Sequence, residues 1–204
     1  MNLSLTSRPA RDCRGFTLIE LLVVITIVAL LVTGAFGAYG FVMDRAKKAD
    51  AQGACMTVYN AIDQYHSQYD YLPEPMSATK ATDCKSDTSA EEGLIFTLLG
   101  LDPVHNARKV NFLGDIKDAK TQGDGKKLNG LVRTEESAEL LDPWGSHYKV
   151  TIDLDLNGKI DNPNQDEVNS GTAELHKESV VYSLGKDMKE ETWKDNVGSW
   201  TTAQ

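Results

Sequence analysis

The residues whose types and spacing could do chemistry fall in two places. Glu20 is the one charged residue in the otherwise apolar run Phe16–Met43. A carboxylate held in hydrocarbon costs about 3 kcal/mol or more, so Glu20 calls for a positively charged partner and reads as an assembly determinant, not as a catalyst. The second place is Asp153, Asp155, Asn157, Gly158 and Asp161. Oxygen-bearing side chains at alternate positions, followed by a glycine for a sharp turn, suit calcium, which takes six to eight oxygen ligands. A solvated hairpin tip would use the same residues. Catalysis has no comparable constellation: His66, His105, His147 and His176 are scattered, and no Ser or Cys sits beside a base and an orienting group. Gly123 and Gly125 are not placed between a buried strand and a helix, so they do not form a nucleotide loop. An enzyme is not expected.

The elements that position Glu20 begin with the apolar run itself. Residues 16–43 exceed the roughly 20 apolar residues that a bilayer requires. Arg8, Arg11 and Arg14 precede it and would keep the N-terminus cytoplasmic. An ordinary secretory signal is cut after its apolar run, whereas the conspicuous small residue here, Gly15, stands before it. Gly34, Gly37 and Gly40 recur near the outer end, where they would either let helices pack closely or weaken the helix, at about 1 kcal/mol each relative to alanine.

Beyond Met43 the chain turns amphipathic without a break. Cys55, Tyr59, Ile62, His66 and Tyr69 form a helical stripe suited to lie on a sheet, with His66 as a core histidine, and Pro73 and Pro75 stop the helix near Tyr71. Ser77 to Ala90 is polar and reads as a surface loop. Leu94, Ile95, Leu98 and Leu99 cluster for burial on a short helix within 91–101. Tyr148, Val150, Ile152 and Leu154 alternate as in a strand, and 179–184 is a second strand. The expected fold class is α+β, a long N-terminal helix packed on a small C-terminal antiparallel sheet.

The order Arg14-Gly15-Phe16-Thr17-Leu18-Ile19-Glu20 resembles the recognition motif of type IV prepilins and type II secretion pseudopilins. The resemblance implies a leader, residues 1–15, cut by prepilin peptidase between Gly15 and Phe16, and methylation of the new N-terminus at Phe16. It also implies a filament-core and membrane helix over 16–43 and a periplasmic or extracellular domain over 44–204. Glu20 would then pair with the terminal amine of a neighbouring subunit. Implied partners are identical or related subunits, the peptidase and an inner-membrane assembly platform.

The tail, with Asp142-Pro143-Trp144-Gly145 and 182–200, resembles the C-terminal region of the major pseudopilin. There a calcium ion clasps the final loop, which would place ligands on the Leu184 and Trp193 carbonyls and on Asp187 and Asp195, with Asn196 replacing a second acid. The Asp153 loop resembles the start of an EF-hand, although Asn164 stands where a bidentate Glu is expected. With Cys13 removed in the leader, Cys55 and Cys84 remain, either as two thiols or as a disulfide worth roughly 3 to 4 kcal/mol.

Charge narrows the partners further. Three of the 21 Lys+Arg and one of the 30 Asp+Glu lie in residues 1–15, so the remainder carries 18 against 29, a net of −11. Such a surface repels phosphate and argues against nucleic acid. The function expected is a structural subunit of a type II secretion pseudopilus. A subunit of a type IV pilus, or a single-pass membrane protein with a calcium-binding domain that does not polymerise, stand as the alternatives.

Overall fold

A computed structural model describes residues 16–76, 78, 83–114, 116–164 and 173–200, without the side chains of residues 34–38. The chain divides into two units, residues 1–43 and 44–204. Helix α1 spans Leu18–Tyr69.

In the first unit the helix starts on a capping box. The Glu20 amide donates to Thr17 Oγ1 at 3.2 Å, and Glu20 Oε2 accepts the Thr17 amide at 2.9 Å. Two free amides of the first turn are thereby satisfied. Thr26 and Thr33 donate their hydroxyls to the carbonyls of Val23 and Ala29, both at 2.8 Å, so neither leaves an open polar group on an apolar helix. The helix runs through Gly34, Gly37 and Gly40 without a break. Among the described residues, no helix is long and apolar enough to cross a membrane.

In the second unit α1 buries Ala51, Cys55, Val58, Ala61, Ile62 and Tyr65 completely. This stripe is turned from the expected one. Cys55 and Ile62 are central, while Tyr59, His66 and Tyr69 stand at its rim. His66 is therefore not a core residue; it pairs with Glu178 at 2.7 Å. The small residues Ala51 and Ala61 belong to this buried stripe, a cue weaker in sequence than the aromatic rings that flank it. Asp70, at φ 60°, ends the helix before Pro73 and Pro75 are reached.

The strands are β1 (Cys84–Asp87), β2 (Lys120–Thr121), β3 (Lys127–Leu128), β4 (Gly130–Arg133), β5 (Ala138–Leu141), β6 (Lys149–Ile152), β7 (Ile160–Asp161), β8 (Glu174–Leu175), β9 (Ser179–Ser183) and β10 (Val197–Gly198). Helix α2 covers Leu94–Leu98 and buries the predicted apolar cluster. The main sheet has the order β1-β6-β9-β10, all antiparallel, and its residues Val150, Ile152 and Val181 share one core with α1 and α2. Three two-stranded sheets, β2-β3, β4-β5 and β7-β8, decorate it. The architecture is α+β. One local expectation fails: Cys84–Asp87 is not loop but an edge strand, in register with Ile152 through Lys149. Its polar composition suits an edge, where only one neighbour must be matched.

Candidate functional site

The site built from Glu20 lies at the start of α1. Glu20 Oε2 accepts the Thr17 hydroxyl at 2.7 Å as well as the Thr17 amide, so within one chain the carboxylate is held by the residue that caps the helix. Phe16 is 77% exposed beside it. Gly15, on the other side of the expected cleavage point, lies outside the described residues. Thr17 was not singled out by the motif reading; its spacing of three from Glu20 is the signal that identifies it.

A second constellation is the tail. Asp44, Lys48, Gln52 and Cys55 lie along one side of α1 at spacings of four, four and three, and each meets the C-terminal segment. Lys186 Nζ reaches Asp44 at 3.1 Å, and Lys48 Nζ donates to the Lys194 carbonyl at 3.2 Å. Gln52 donates to the Gly198 carbonyl at 2.9 Å, and the Cys55 thiol lies 3.6 Å from the Val197 carbonyl. Tyr182, Trp193 and Trp200 pack ring to ring, with centroids 5.3 to 6.0 Å apart.

The oxygens expected to hold an ion in the tail are gathered in one loop. Asp195 Oδ2 accepts the amides of Lys186 at 2.7 Å and Asp187 at 3.0 Å. Asp187 accepts the Lys189 amide at 3.0 Å and the Thr192 hydroxyl, and these bonds hold its carboxyl below the usual range. The end of the Asn196 side-chain amide lies 2.7 Å from the Leu184 carbonyl and 3.1 Å from the Thr192 carbonyl. The Trp193 ring belongs to the aromatic group, packed on Tyr182 and Trp200. Beneath the loop, Asp142 Oδ1 accepts the amides of Trp144, Gly145 and Ser146 at 2.8 to 2.9 Å, and Oδ2 accepts the Ser183 hydroxyl.

The third constellation is the Asp153 loop. Asp153, 1% exposed, accepts the Gly158 amide at 2.7 Å and the Asn157 amide at 3.1 Å. Carboxylate oxygens of Asp153, Asp155 and Asp83 lie within 4.8 Å of one another. Burial raises the Asp153 carboxyl above its ordinary range, and Asp155 adds to the shift. Burial likewise raises Asp83, followed by the charges of Asp155, Asp153 and Asp161. Asn157 turns its amide to Asp155 at 3.0 Å, and Asp161 stands outside the trio. Asp83 was missed because it reaches the loop from the start of β1, across a strand pairing that carries no local spacing signal.

Of the two readings of Cys55 and Cys84, the structure has the pair of thiols: both are buried and not joined. Cys55 faces β10 and Cys84 lies on β1, the opposite edge of the sheet. Three strand spacings of about 4.8 Å separate those edges, well beyond the reach of a disulfide. Burial also pushes the Cys55 thiol far up from its ordinary pKa.

The described histidines with ring partners are each paired with a carboxylate: His66 with Glu178, His105 with Asp102, and His147 with Glu139, at 2.6 to 2.8 Å. These pairs lie apart and bring no nucleophile with them. No curated protein and no solved structure matches the chain. Residues 10–36 match the family described as prokaryotic N-terminal methylation motif, a structural and non-enzymatic family. The match takes in Gly15, Phe16, Thr17 and Glu20 together, and the chain therefore carries the prepilin-type motif of type IV pilin-like proteins.

Proposed function

We propose that this protein is a structural subunit of a type II secretion pseudopilus, cut by prepilin peptidase after Gly15, methylated at Phe16 and polymerised from the inner membrane to drive export. The observation that carries the reading is the run Arg14–Glu20 inside the matched residues 10–36. In this reading residues 16–43 span the membrane before assembly and form the filament core after it, with the acidic domain on the periplasmic side. The Thr17 contacts shelter the Glu20 carboxylate while the subunit waits in the bilayer. On assembly the carboxylate turns to the amine of a neighbour's Phe16, and the pairing neutralises both charges in an apolar core. The resemblance of Asp142-Pro143-Trp144-Gly145 and 182–200 to the major pseudopilin is what supports the secretion filament over a surface pilus.

A divalent cation, calcium by its preference for oxygen, belongs to this reading at the Asp153 loop. Three carboxylates with oxygens within 4.8 Å of one another, two of them raised in pKa, are the donor chemistry such an ion requires. It would neutralise their repulsion and fix the hairpin.

The test is coexpression with a prepilin peptidase and an assembly platform. Mass spectrometry is expected to find an N-terminus at methylated Phe16, and Glu20→Ala is expected to insert into the membrane yet fail to assemble. Normal filaments from Glu20→Ala would remove the assembly role. Retention of residues 1–15 would make the protein a plain membrane anchor, and native filaments on the cell surface with secretion intact would make it a pilus subunit.

A further inference from the structure

We infer, on the reading that residues 16–43 span the membrane, that the face built from residues 44–48 of α1 and the tail loop 186–195 rests on the bilayer, with its lysines among the phosphates of anionic phospholipids. Charge singles this face out. Its two segments hold Arg45, Lys47, Lys48, Lys186, Lys189 and Lys194 against five acids, whereas the rest of residues 44–204 holds 12 basic against 23 acidic groups. An anionic surface would repel the remainder of the domain but not this face.

The fold brings the two segments to one level. Lys186 Nζ reaches Asp44 Oδ2 at 3.1 Å, and Lys48 Nζ donates to the Lys194 carbonyl at 3.2 Å, so the tail loop is held at the helical turn that follows Met43. At 1.5 Å per residue, Arg45 to Lys48 lie about 3 to 8 Å beyond Met43 along the helix. The polar layer on each side of the hydrocarbon is roughly 5 to 8 Å deep, and these residues fall within it together with the loop pinned to them.

The acids of the loop are drawn inward by its own hydrogen bonds. Asp195 accepts the amides of Lys186 and Asp187, Asp187 accepts the Lys189 amide and the Thr192 hydroxyl, and Glu190 accepts the Tyr182 hydroxyl. Lys186, Lys189 and Lys194 are exposed, as is the apolar Met188 between the first two. Ammonium groups beside an emerging membrane helix are the chemistry that attracts anionic headgroups.

The experiment uses the full chain inserted in vesicles of phosphatidylcholine alone or of phosphatidylcholine mixed with phosphatidylglycerol, with insertion checked by carbonate extraction. A membrane-impermeant amine reagent followed by mass spectrometry reads each lysine. Lys109, exposed next to Arg108 where that residue meets Gln68 near the far end of α1, is the internal standard. Relative to Lys109, Lys189 and Lys194 should react about fivefold more slowly in the mixed vesicles than in the neutral ones, the factor expected for a lysine beside an anionic surface. High salt should remove the difference. Lys189→Glu combined with Lys194→Glu should leave Lys186 equally reactive in both vesicles. Equal rates for the natural chain in the two vesicles would overturn the inference and leave the membrane reading standing. Slowing already present in neutral vesicles and growing with protein density would show a second copy on this face, and would overturn it too. A chain that carbonate extracts would remove the spanning reading, and this inference with it.

Discussion

The buried Ser183 hydroxyl donates to Asp142 Oδ2 at 2.7 Å across 41 residues and accepts the Gly185 amide at 3.1 Å, joining the turn after β5 to the start of the tail loop. With three backbone amides on its other oxygen, Asp142 is completely shielded from solvent yet has every lone pair engaged that its surroundings can reach. A buried carboxylate in this condition is an organising centre, because removing it strands the Trp144 and Ser146 amides and the Ser183 hydroxyl at once, while the Gly145 amide keeps the Asp142 carbonyl.

Asp142→Ala should therefore destabilise the domain by on the order of 3 kcal/mol, the cost of leaving several buried donors without acceptors. For a domain of this size that corresponds to a fall in Tm of about 10 °C. Ser183→Ala, which leaves the three amides bonded, should cost about 1 kcal/mol. Thermal unfolding of the full chain followed by circular dichroism checks both, and equal effects would contradict the central place of Asp142.

Gly185→Ala places a methyl group 2.5 Å from the Asp195 carbonyl at a backbone angle of +68°. Strain of about 1 to 3 kcal/mol should open the tail loop locally. Hydrogen exchange should accelerate at the Lys186 and Asp187 amides and stay unchanged at β6. Unchanged exchange at those two amides would refute the close approach.

The Asp83, Asp153 and Asp155 trio gives a pH dependence with a definite sign. For Asp83 and Asp153 the folded pKa lies above the unfolded one, so the folded state binds protons more tightly. Stability then falls as pH rises through their raised range. Asp87 has the opposite sign. Burial pushes it up, but hydrogen bonds from Ser89 and Lys149 win and lower it, so its contribution is lost only as pH falls below the ordinary carboxylate range. Without divalent cations, Asp155→Asn should unfold a few degrees above the natural protein at pH 7, and the gap should close toward pH 4. Calcium should raise the Tm of the natural protein and leave Asp155→Asn little changed. A gap independent of pH would show that repulsion in the trio is not its cause.

Thiol chemistry offers a separate check. Cys55 and Cys84 are buried and not joined, and the Cys55 thiol is raised by burial, so both should resist iodoacetamide in the native state and take label after unfolding without reductant. A reducing agent should leave Tm unchanged, where loss of a disulfide would cost about 2 to 4 kcal/mol. Failure to label the denatured chain before reduction would restore the bridge.

The parts of this fold that could be read from sequence are those whose signal is local. Leu94, Ile95, Leu98 and Leu99 announce α2 because one helical turn gathers them, and Tyr148, Val150 and Ile152 announce β6 because alternate residues share a face. The Asp153 loop was visible for the same reason. What depends on a distant partner was not. Cys84–Asp87 becomes a strand only by pairing with β6, and Asp83 joins Asp153 only through that pairing. The stripe of α1 is turned from the expected one because Ala51 and Ala61 are buried while the rings of Tyr59 and Tyr69 stand at its rim, and alanine carries little hydrophobic signal in sequence. Asn106, fully buried and bonded to Thr97, Val110 and Tyr69, had no sequence signal, since a polar residue in a loop looks the same whether it is solvated or enclosed.

The contacts of Asp44, Lys48, Gln52 and Cys55 with the tail carry a consequence for biogenesis. Gln52 and Gly198 are 146 residues apart in the chain, yet they meet. Contacts of such long sequence separation form late, after the entropy of closing the loop between them has been met. If the domain crosses the membrane behind its anchor, its core stays open on one side of α1 until residue 198 has emerged. In the reading proposed above, a subunit still in transit would lack its finished surface until that last contact closes.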